Sequence, residues 1–236
     1  MPQHNDDQGR EGGRASEASR PCRERRAQDG AGATQGHSLG EAARRFVRHP
    51  SPWCIGAALV AVTAVRVARG SWAMGDLVVG VVILALEPFT EWVTHVFLLH
   101  GRYGIAARKH VRHHLDPTDE GLVFVPLELL LPGMALAGAL VVVFAGDLDV
   151  GLSGLAVGYA MLLTYEWTHF LIHTRYRPRH RYYRSIWRSH RLHHFRNEHY
   201  WYGVTITLGD RILRTHPQRD EVPLSPTART LGQTVG

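Results

Sequence analysis

The chain has 236 residues, which suits one domain with flanking tails, and its net charge of +6 suggests an anionic partner such as nucleic acid or a membrane surface. Its two cysteines, Cys22 and Cys54, are too few to form a disulfide framework or a cysteine-based metal site. Its sixteen histidines are an unusually large number for a chain of this length.

The first segment, residues 1–48, consists mainly of Gly, Ala, Ser, Arg, Glu and Gln and has almost no large apolar side chain before Leu39. Such a segment cannot bury enough apolar surface to offset the entropy lost on ordering. It also lacks the apolar core of a secretory signal peptide. We therefore predict a disordered, polar tail.

Long apolar runs dominate the next part of the chain, and each is about long enough to cross a hydrocarbon core of ~30 Å as a helix. A soluble α-helical protein is the alternative, but the runs leave too little amphipathic surface for one. We predict an all-α integral membrane bundle of about four transmembrane helices in a domain at residues 49–216, followed by a flexible tail at 217–236. The four runs are WCIGAALVAVTAVRVA, WAMGDLVVGVVILALEPFTEWVTHVFLL, LVFVPLELLLPGMALAGALVVVFAG and VGLSGLAVGYAMLLTYEWTHFLI.

Arginines and lysine collect before the first span, between the second and third spans, and after the fourth. The connection GDLDV between the third and fourth spans is acidic instead. The positive-inside rule then places both termini and the central loop in the cytoplasm, so this is predicted to be a multi-pass membrane protein. The basic positions are Arg44, Arg45, Arg48, Arg102, Arg108, Lys109, Arg112, Arg175, Arg177, Arg179, Arg181, Arg184, Arg188 and Arg191.

Ten histidines lie at the four places that this topology brings to the cytoplasmic face, where they predict a histidine-rich helical cap. Neutral imidazole is a good ligand for iron, zinc, copper and nickel, and two six-coordinate metals could take about five each. The ten are His95 and His100 after the second span, His110, His113 and His114 in the loop, His169 and His173 after the fourth span, and His190, His193 and His194 beyond it.

The spacing within these clusters matters, because helix positions i, i+3 and i+4 share one face. Each H-x-x-H-H set is therefore expected to direct three imidazoles at one point. His95 and His100 are five apart, about 140° around a regular helix. Either one of that pair serves a different metal, or the helix loosens after Phe97.

Two glutamates, Glu91 and Glu166, precede histidines by four and three positions. Carboxylates inside a membrane segment are costly and usually functional. We interpret both as second-shell groups that orient a ligand imidazole through its other nitrogen. A first-shell role, as in soluble di-iron carboxylate bundles, would need the E-x-x-H motif twice. His199 is a reserve ligand, and we assign no metal role to the remaining five: His4, His37, His49, His180 and His216.

The order H-x4-H, H-x-x-H-H, H-x3-H and H-x-x-H-H across four spans resembles the fatty acid hydroxylase and sterol desaturase superfamily of membrane di-iron oxygenases. The stretch Tyr202–Thr215, YGVTITLGDRILRT, resembles the closing motif of that family. The resemblance covers roughly residues 75–216. It implies two iron ions bound by the ten histidines, O2 as oxidant, and hydroxylation or desaturation of a lipid such as a fatty acyl chain or sterol. Zinc could replace iron adventitiously at such nitrogen ligands.

Two features depart from this pattern. Only nine residues separate His100 from His110, which is short for the fatty acid 2-hydroxylase branch. The stretch HTRYRPRHRYYRSIWRSHRLHH also resembles the β-carotene hydroxylase branch, so a carotenoid ring hydroxylase is an alternative.

The N-terminal tail is too short and too polar for a fused cytochrome-like domain. Electrons are therefore expected from a separate donor, such as a ferredoxin with its reductase. The arginine-rich cytoplasmic face is expected to be the surface on which an acidic donor of this kind docks.

Two other classes of protein fit less well. A histidine-rich metal transporter would need polar ligands near the middle of the membrane, and these histidines gather towards one face. The argument for a nucleic-acid binder depends on the basic charge alone, and the positive-inside bias already explains that charge. We therefore expect a lipid and a membrane, and no nucleic acid, as partners.

Overall fold

The computed structural model describes residues 38–233, so predictions for residues 1–37 and 234–236 lie outside the described part. Within it the chain forms helices, turns and loops and no strand, which confirms the predicted all-α class. The helices are α1 (Leu39–Phe46), α2 (Pro50–Arg69), α3 (Met74–Val93) with a π-helical continuation (Thr94–Leu99), α4 (Ile105–Leu115), α5 (Glu120–Val123), α6 (Leu127–Phe144), α7 (Leu148–His173), α8 (Arg181–Phe195) and α9 (Leu208–Ile212), and a 3-10 turn follows at Arg219–Glu221.

Four helical segments are long and apolar enough to cross a membrane, as the sequence predicts. Much of their apolar surface faces outwards, and Val81 and Phe144 are examples of exposed side chains. An outward apolar surface suits contact with lipid, where no water competes for burial. The segments are Pro50–Arg69, Met74–Leu99, Glu120–Phe144 and Leu148–His173.

The longest helix, α7, is the centre of the bundle and packs against α2, α3 and α6. A buried cluster of Ile55, Leu130 and Tyr159 joins α2, α6 and α7. The Tyr159 hydroxyl donates a hydrogen bond of 3.1 Å to the carbonyl of Met134, so the aromatic ring buries its apolar body and still satisfies its polar end. Because α3 and α7 run in the same direction, their histidine-bearing ends meet at one end of the bundle.

The segment that the sequence assigned to a disordered tail contains a helix within the described residues. Residues 38–48 were assigned to a disordered tail, whereas Leu39–Phe46 forms helix α1, capped by the Ser38 hydroxyl, which accepts a hydrogen bond of 3.1 Å from the Glu41 amide. Ala42 and Phe46, one turn apart, are buried against Phe124 and Phe170. Two apolar residues in a polar segment carry little compositional signal, and only their tertiary contacts order the helix.

At the end of the bundle away from the histidines, the buried Arg66 joins three helices. Its Nη2 atom lies 2.7 Å from Asp76 Oδ1, and its Nε atom donates to Ser153 Oγ at 2.9 Å. The guanidinium group also lies 3.9 Å above the ring of Trp72. These contacts hold the ends of α2, α3 and α7 together.

We expect Arg66→Met to destabilise the protein strongly, because it leaves the Asp76 carboxylate buried without its counter-charge. Removing one partner of a buried pair costs about 3–5 kcal/mol. Equilibrium unfolding in mixed micelles measures this loss. The matched control is Arg69→Met, since the exposed Arg69 pairs with Asp149 and such pairs contribute at most ~1 kcal/mol. Equal losses in the two variants would contradict the expectation.

Residues 217–233, which the sequence assigned to a flexible C-terminal tail, instead pack against the histidine-bearing end of the bundle; we call them the C-terminal strap. Val222 and Ala228 are buried, and the Ser225 amide donates to the carbonyl of Arg196 at 2.7 Å. Several of the docking hydrogen bonds use backbone carbonyls of the strap as acceptors, namely those of Val222, Pro223 and Ala228, and such groups leave no trace in composition.

Candidate metal centre

All ten predicted histidines meet at one end of the bundle, in two groups of five. Within each group, one ring nitrogen from every residue lies within 4.8 Å of those from the other four. Eight of the ten side chains are buried, and His100 and His173 are half-buried. The first histidine group is His95, His100, His110, His114 and His193; the second histidine group is His113, His169, His173, His190 and His194.

Each H-x-x-H-H set is divided between the two groups, whereas we expected each to point at a single place. On α4, His110 and His114 join the first group and His113 joins the second. The division on α8 is the reverse, since His190 and His194 join the second group and His193 the first. Helix geometry explains this, because positions i and i+4 are about 40° apart around the axis while i+3 and i+4 are about 100° apart.

A π-helical turn brings His95 and His100, the two histidines of the H-x4-H pair, to nearly the same side of the helix. The segment Thr94–Leu99 is π-helical, and the His100 amide donates to the His95 carbonyl at 3.0 Å, an i→i+5 bond. Such a turn brings residues five apart to nearly the same face, and π-helical turns are frequent at functional sites. Both imidazoles consequently belong to the first group. The helix therefore loosens, as one of the two sequence-based alternatives proposed, but it does so at Thr94, before Phe97.

The imidazoles face one another through their Nε2 atoms. The Nε2–Nε2 distances are 3.2 Å between His110 and His114, and 3.1 Å between His190 and His194. A metal–nitrogen bond of about 2.1 Å places neighbouring ligand nitrogens about 3 Å apart, so the spacing fits a shared cation.

Several ring nitrogens in the groups are buried and have no hydrogen-bond partner in the described part of the chain. They include the Nε2 atoms of His95, His113, His169 and His173. A buried polar atom without a partner is rare and calls for an explanation such as an ion. The donor set and these unpaired nitrogens fit two metal ions, one in each group.

Backbone carbonyls hold the opposite side of four rings. A carbonyl can only accept, so each Nδ1 atom must carry the proton, which leaves the Nε2 lone pair free to bind a metal. The pairs are His95 Nδ1 with the carbonyl of Tyr202 at 2.7 Å, His193 with Tyr200 at 2.8 Å, His114 with Ala228 at 2.7 Å and His169 with Val123 at 2.9 Å.

Burial also favours the neutral imidazoles that metals require. It lowers the pKa of His114 to about 4, although the Ala228 carbonyl and Glu198 oppose the shift. Burial and the neighbouring imidazoles lower the pKa values of His110 and His190 well below the usual range. Because a protonated imidazole cannot bind a metal, these rings are in the ligand form at neutral pH.

Glu91 contacts a loop that holds a histidine, and not the histidine ring itself as we expected. Its carboxylate accepts hydrogen bonds from the amide and hydroxyl of Thr205, at 3.0 and 2.5 Å, and from the amide of Val204. It therefore holds the loop whose Tyr202 carbonyl contacts His95, and does not orient the ring itself. The reason is that the loop places a backbone carbonyl, and not the carboxylate, beside Nδ1.

Glu166 is arranged in the same way. Its Oε1 atom accepts from the Ser51 hydroxyl at 2.5 Å and from the Val125 amide at 3.0 Å. Two residues before Val125, the carbonyl of Val123 accepts from His169. Both glutamates thus fix a backbone segment, and that segment fixes a histidine.

An apolar cavity of about 550 Å³ reaches both histidine groups. His95, His110, His113 and His169 form part of its lining. This volume lies within the range of small-molecule and lipid-binding pockets. The apolar part of the lining includes Ile83, Leu86, Leu122, Leu129, Met161 and Leu162.

Comparison with known proteins identifies the family. Residues 80–215, more than half of the chain, match the sequence model of the fatty acid hydroxylases. The chain belongs to the fatty acid hydroxylase family. This confirms the resemblance seen in the histidine motifs, and the matched residues contain all ten histidines of the two groups.

Two proteins similar to this chain are informative. Dihydroceramide fatty acyl 2-hydroxylase FAH2 of Arabidopsis thaliana is 26% identical over 148 residues, which cover 62% of this chain and 57% of that relative. The chain thus spans a little over half of the relative's length. The hydroxylase domain of Scs7p has the same fold, with a TM-score of 0.62, 23% identity, and coverage of 74% of this chain and 69% of that one.

The closing motif, Tyr202–Thr215, is held by Asp210, a residue that we did not predict for the site. Asp210 accepts hydrogen bonds from the Tyr202 and Gly203 amides at 3.0 and 2.7 Å, and from Thr215 Oγ1 at 2.6 Å. A Cβ atom at Gly209 would lie 2.3 Å from the carbonyl oxygen of Pro88 in α3, so only glycine allows this contact. The motif thus positions the Tyr202 carbonyl.

The other histidines within residues 38–233 belong to neither group. His199 is 70% exposed. His49 precedes α2, where its ring stacks on Phe124 at 3.9 Å. His180 precedes α8, and His216 lies after α9. His4 and His37 fall outside the described residues.

Proposed function

We propose that this member of the fatty acid hydroxylase family is a multi-pass membrane enzyme that uses O2 and two iron ions to hydroxylate a C–H bond of a lipid. The observation that carries the proposal is the pair of buried five-histidine groups bordering one apolar cavity. The carbonyl partners that hold Nδ1 protons support a ligand role for the rings. Each histidine group would hold one ion.

The protein supplies position and an environment without water. Iron in the two groups would supply the oxidising chemistry that an unactivated C–H bond requires. His95 and His110 of the first group, and His113 and His169 of the second, border the cavity, so a substrate carbon there meets both groups. The apolar walls exclude water and would hold a hydrocarbon chain in one orientation. Zinc can occupy such nitrogen ligands in place of iron during overexpression.

The substrate that fits best is a lipid with a long acyl chain. The cavity is lined mainly by aliphatic side chains, and Glu87 and Thr90 are among its polar lining residues. The similarity to a dihydroceramide fatty acyl 2-hydroxylase supports a fatty acyl chain over a sterol.

The positive-inside bias supports a cytoplasmic location for the histidine-rich end. The helix α8 and the loop before it carry Arg175, Arg177, Arg181, Arg184 and Arg188 at this end of the bundle. Their charge would attract an acidic electron donor, such as a ferredoxin working with its reductase.

Lipid extraction from cells with and without the protein tests the reaction. Mass spectrometry should show one lipid class that gains a single oxygen atom only when the protein is present. Loss of two hydrogens would indicate desaturation instead, and an unchanged lipid profile in iron-replete cells would contradict the proposal.

The cavity itself can be tested at Gly158. We expect Gly158→Phe to reduce turnover of long-chain lipids by about 10-fold or more while metal content stays unchanged. Gly158 borders the cavity, and a Cβ atom there would meet nothing within 4 Å, so the ring would fill the space intended for substrate. Overfilling of this kind excludes ligand without removing a metal contact.

The matched control for this experiment is Gly133→Phe. Gly133 also has open space at Cβ, but it is exposed on α6 and does not border the cavity. Activity assays measure turnover by both variants, and metal analysis checks that their metal content is unchanged. Equal turnover in the two variants would show that the cavity does not hold the substrate.

A further inference from the structure

The C-terminal strap, residues 217–233, follows the end of the family match at residue 215 and lies against the first histidine group. The strap contributes no histidine to either group in the described structure. We propose that it is nevertheless part of the metal centre, because it positions His114 and thereby strengthens metal binding by the first group only. This inference rests on the proposed metal centre.

The decisive contact is between the strap and one ring. The Ala228 carbonyl accepts a hydrogen bond of 2.7 Å from His114 Nδ1, and His114 itself is fully buried. Ala228 is only 4% exposed, so no water competes for the carbonyl from outside. The contact holds the proton on Nδ1 and directs the Nε2 lone pair towards His110.

The chain is fastened on both sides of Ala228. The Thr227 hydroxyl donates to Glu198 Oε1 at 2.5 Å, and Glu198 is 1% exposed. Arg229 Nη2 donates to the carbonyl of Leu115 at 2.5 Å, next to His114 in the sequence. With a fixed point immediately before and after it, the Ala228 carbonyl is held at a set position relative to α4.

The two groups differ in where their carbonyl partners come from. In the first group, His114 donates to the Ala228 carbonyl of the strap, whereas His95 and His193 donate to carbonyls in the preceding loop, those of Tyr202 and Tyr200. In the second group, His169 donates to Val123 in α5, far along the chain from the strap. Loss of the strap would therefore remove support from the first group and leave this contact of the second group intact.

The size of the effect follows from similar contacts in other metal sites. Removing the outer hydrogen-bond partner of a metal-bound histidine typically weakens metal affinity by about 10- to 100-fold. A chain without residues 224–236 should therefore release one of its two metals at about 10- to 100-fold lower chelator concentration than the full chain. The second metal should be released as in the full chain.

The experiment compares the full chain, the chain ending at Pro223, and a control chain ending at Thr230, which keeps Ala228 and both fastenings. Each is purified in detergent from iron-replete cells and treated with increasing EDTA, and metal per chain is measured by mass spectrometry. Circular dichroism checks that the helices persist. If the chain ending at Pro223 does not fold, Thr227→Val takes its place, because it removes the hydroxyl that contacts Glu198 and Ser225 and leaves the Arg229 contact in place.

Selective release of one metal from the shortened or Thr227→Val chain, with two retained by the control, supports the inference. Retention of both metals as in the full chain overturns it. Equal weakening of both metals also overturns it, because the strap would then act on the whole fold. A full chain that binds no metal would instead refute the metal centre itself.

Discussion

His113→Ala is expected to abolish lipid hydroxylation and to lower the metal content from two ions per chain towards one. His113 lies in the second histidine group, is buried and borders the cavity. Loss of an outer partner of a ligand costs about 10- to 100-fold in affinity or activity, so loss of the ligand itself should exceed ~100-fold. Activity on extracted lipids and metal analysis of purified protein measure the two effects.

His110→Ala should have the same effect through the first group, since the reaction as proposed needs both. The matched control is His199→Ala, which removes an exposed imidazole that belongs to neither group, and it should leave activity and metal content unchanged. Full metal retention after His113→Ala, or loss of metal after His199→Ala, would contradict the proposed assignment of ligands.

Glu91→Ala should lower both stability and metal retention. The substitution leaves the buried amides of Val204 and Thr205 without their acceptor, and each such group costs about 1–3 kcal/mol. The loop that offers the Tyr202 carbonyl to His95 then loosens. A loss of about 3 kcal/mol corresponds to a fall in melting temperature of roughly 6–12 °C for a chain of this size. Thermal unfolding and EDTA titration measure the two quantities.

Two variants serve as controls for Glu91→Ala. Glu91→Gln keeps an acceptor oxygen for the amides and should recover part of the stability. Glu87→Ala, on the same helix, removes a carboxylate whose contact is with the Thr205 hydroxyl at 2.7 Å, so its effect should be smaller. A melting temperature for Glu91→Ala within 2 °C of the unaltered chain, roughly the effect of 1 kcal/mol or less, would contradict the bracing role.

Both predictions depend on features that the sequence reveals to different degrees. The histidines are recognisable because ten of them recur at helical spacings beside long apolar runs. Apolar length is a property of the chain alone, and it predicts the four spans that the structure contains. The structure gathers the ten histidines into two groups of five, and binding of one metal by each group stays a prediction.

The assignment of each histidine to a group required coordinates. Helical spacing predicts which residues share a face, but the relative rotation of α4 and α8 decides where each face points. The same holds for His95 and His100, because an α-helix and a π-helical turn place the fifth residue differently and the sequence fits both.

The groups that hold the histidine rings in place could not be recognised in the sequence. The carbonyls of Tyr202, Val123 and Ala228 belong to the backbone, so any residue type could supply them. A backbone group has no side-chain signature, and its position depends on contacts between segments far apart in the chain. Composition therefore determined the spans and supplied the ten imidazoles, whereas long-range packing alone decided which atoms orient each ring.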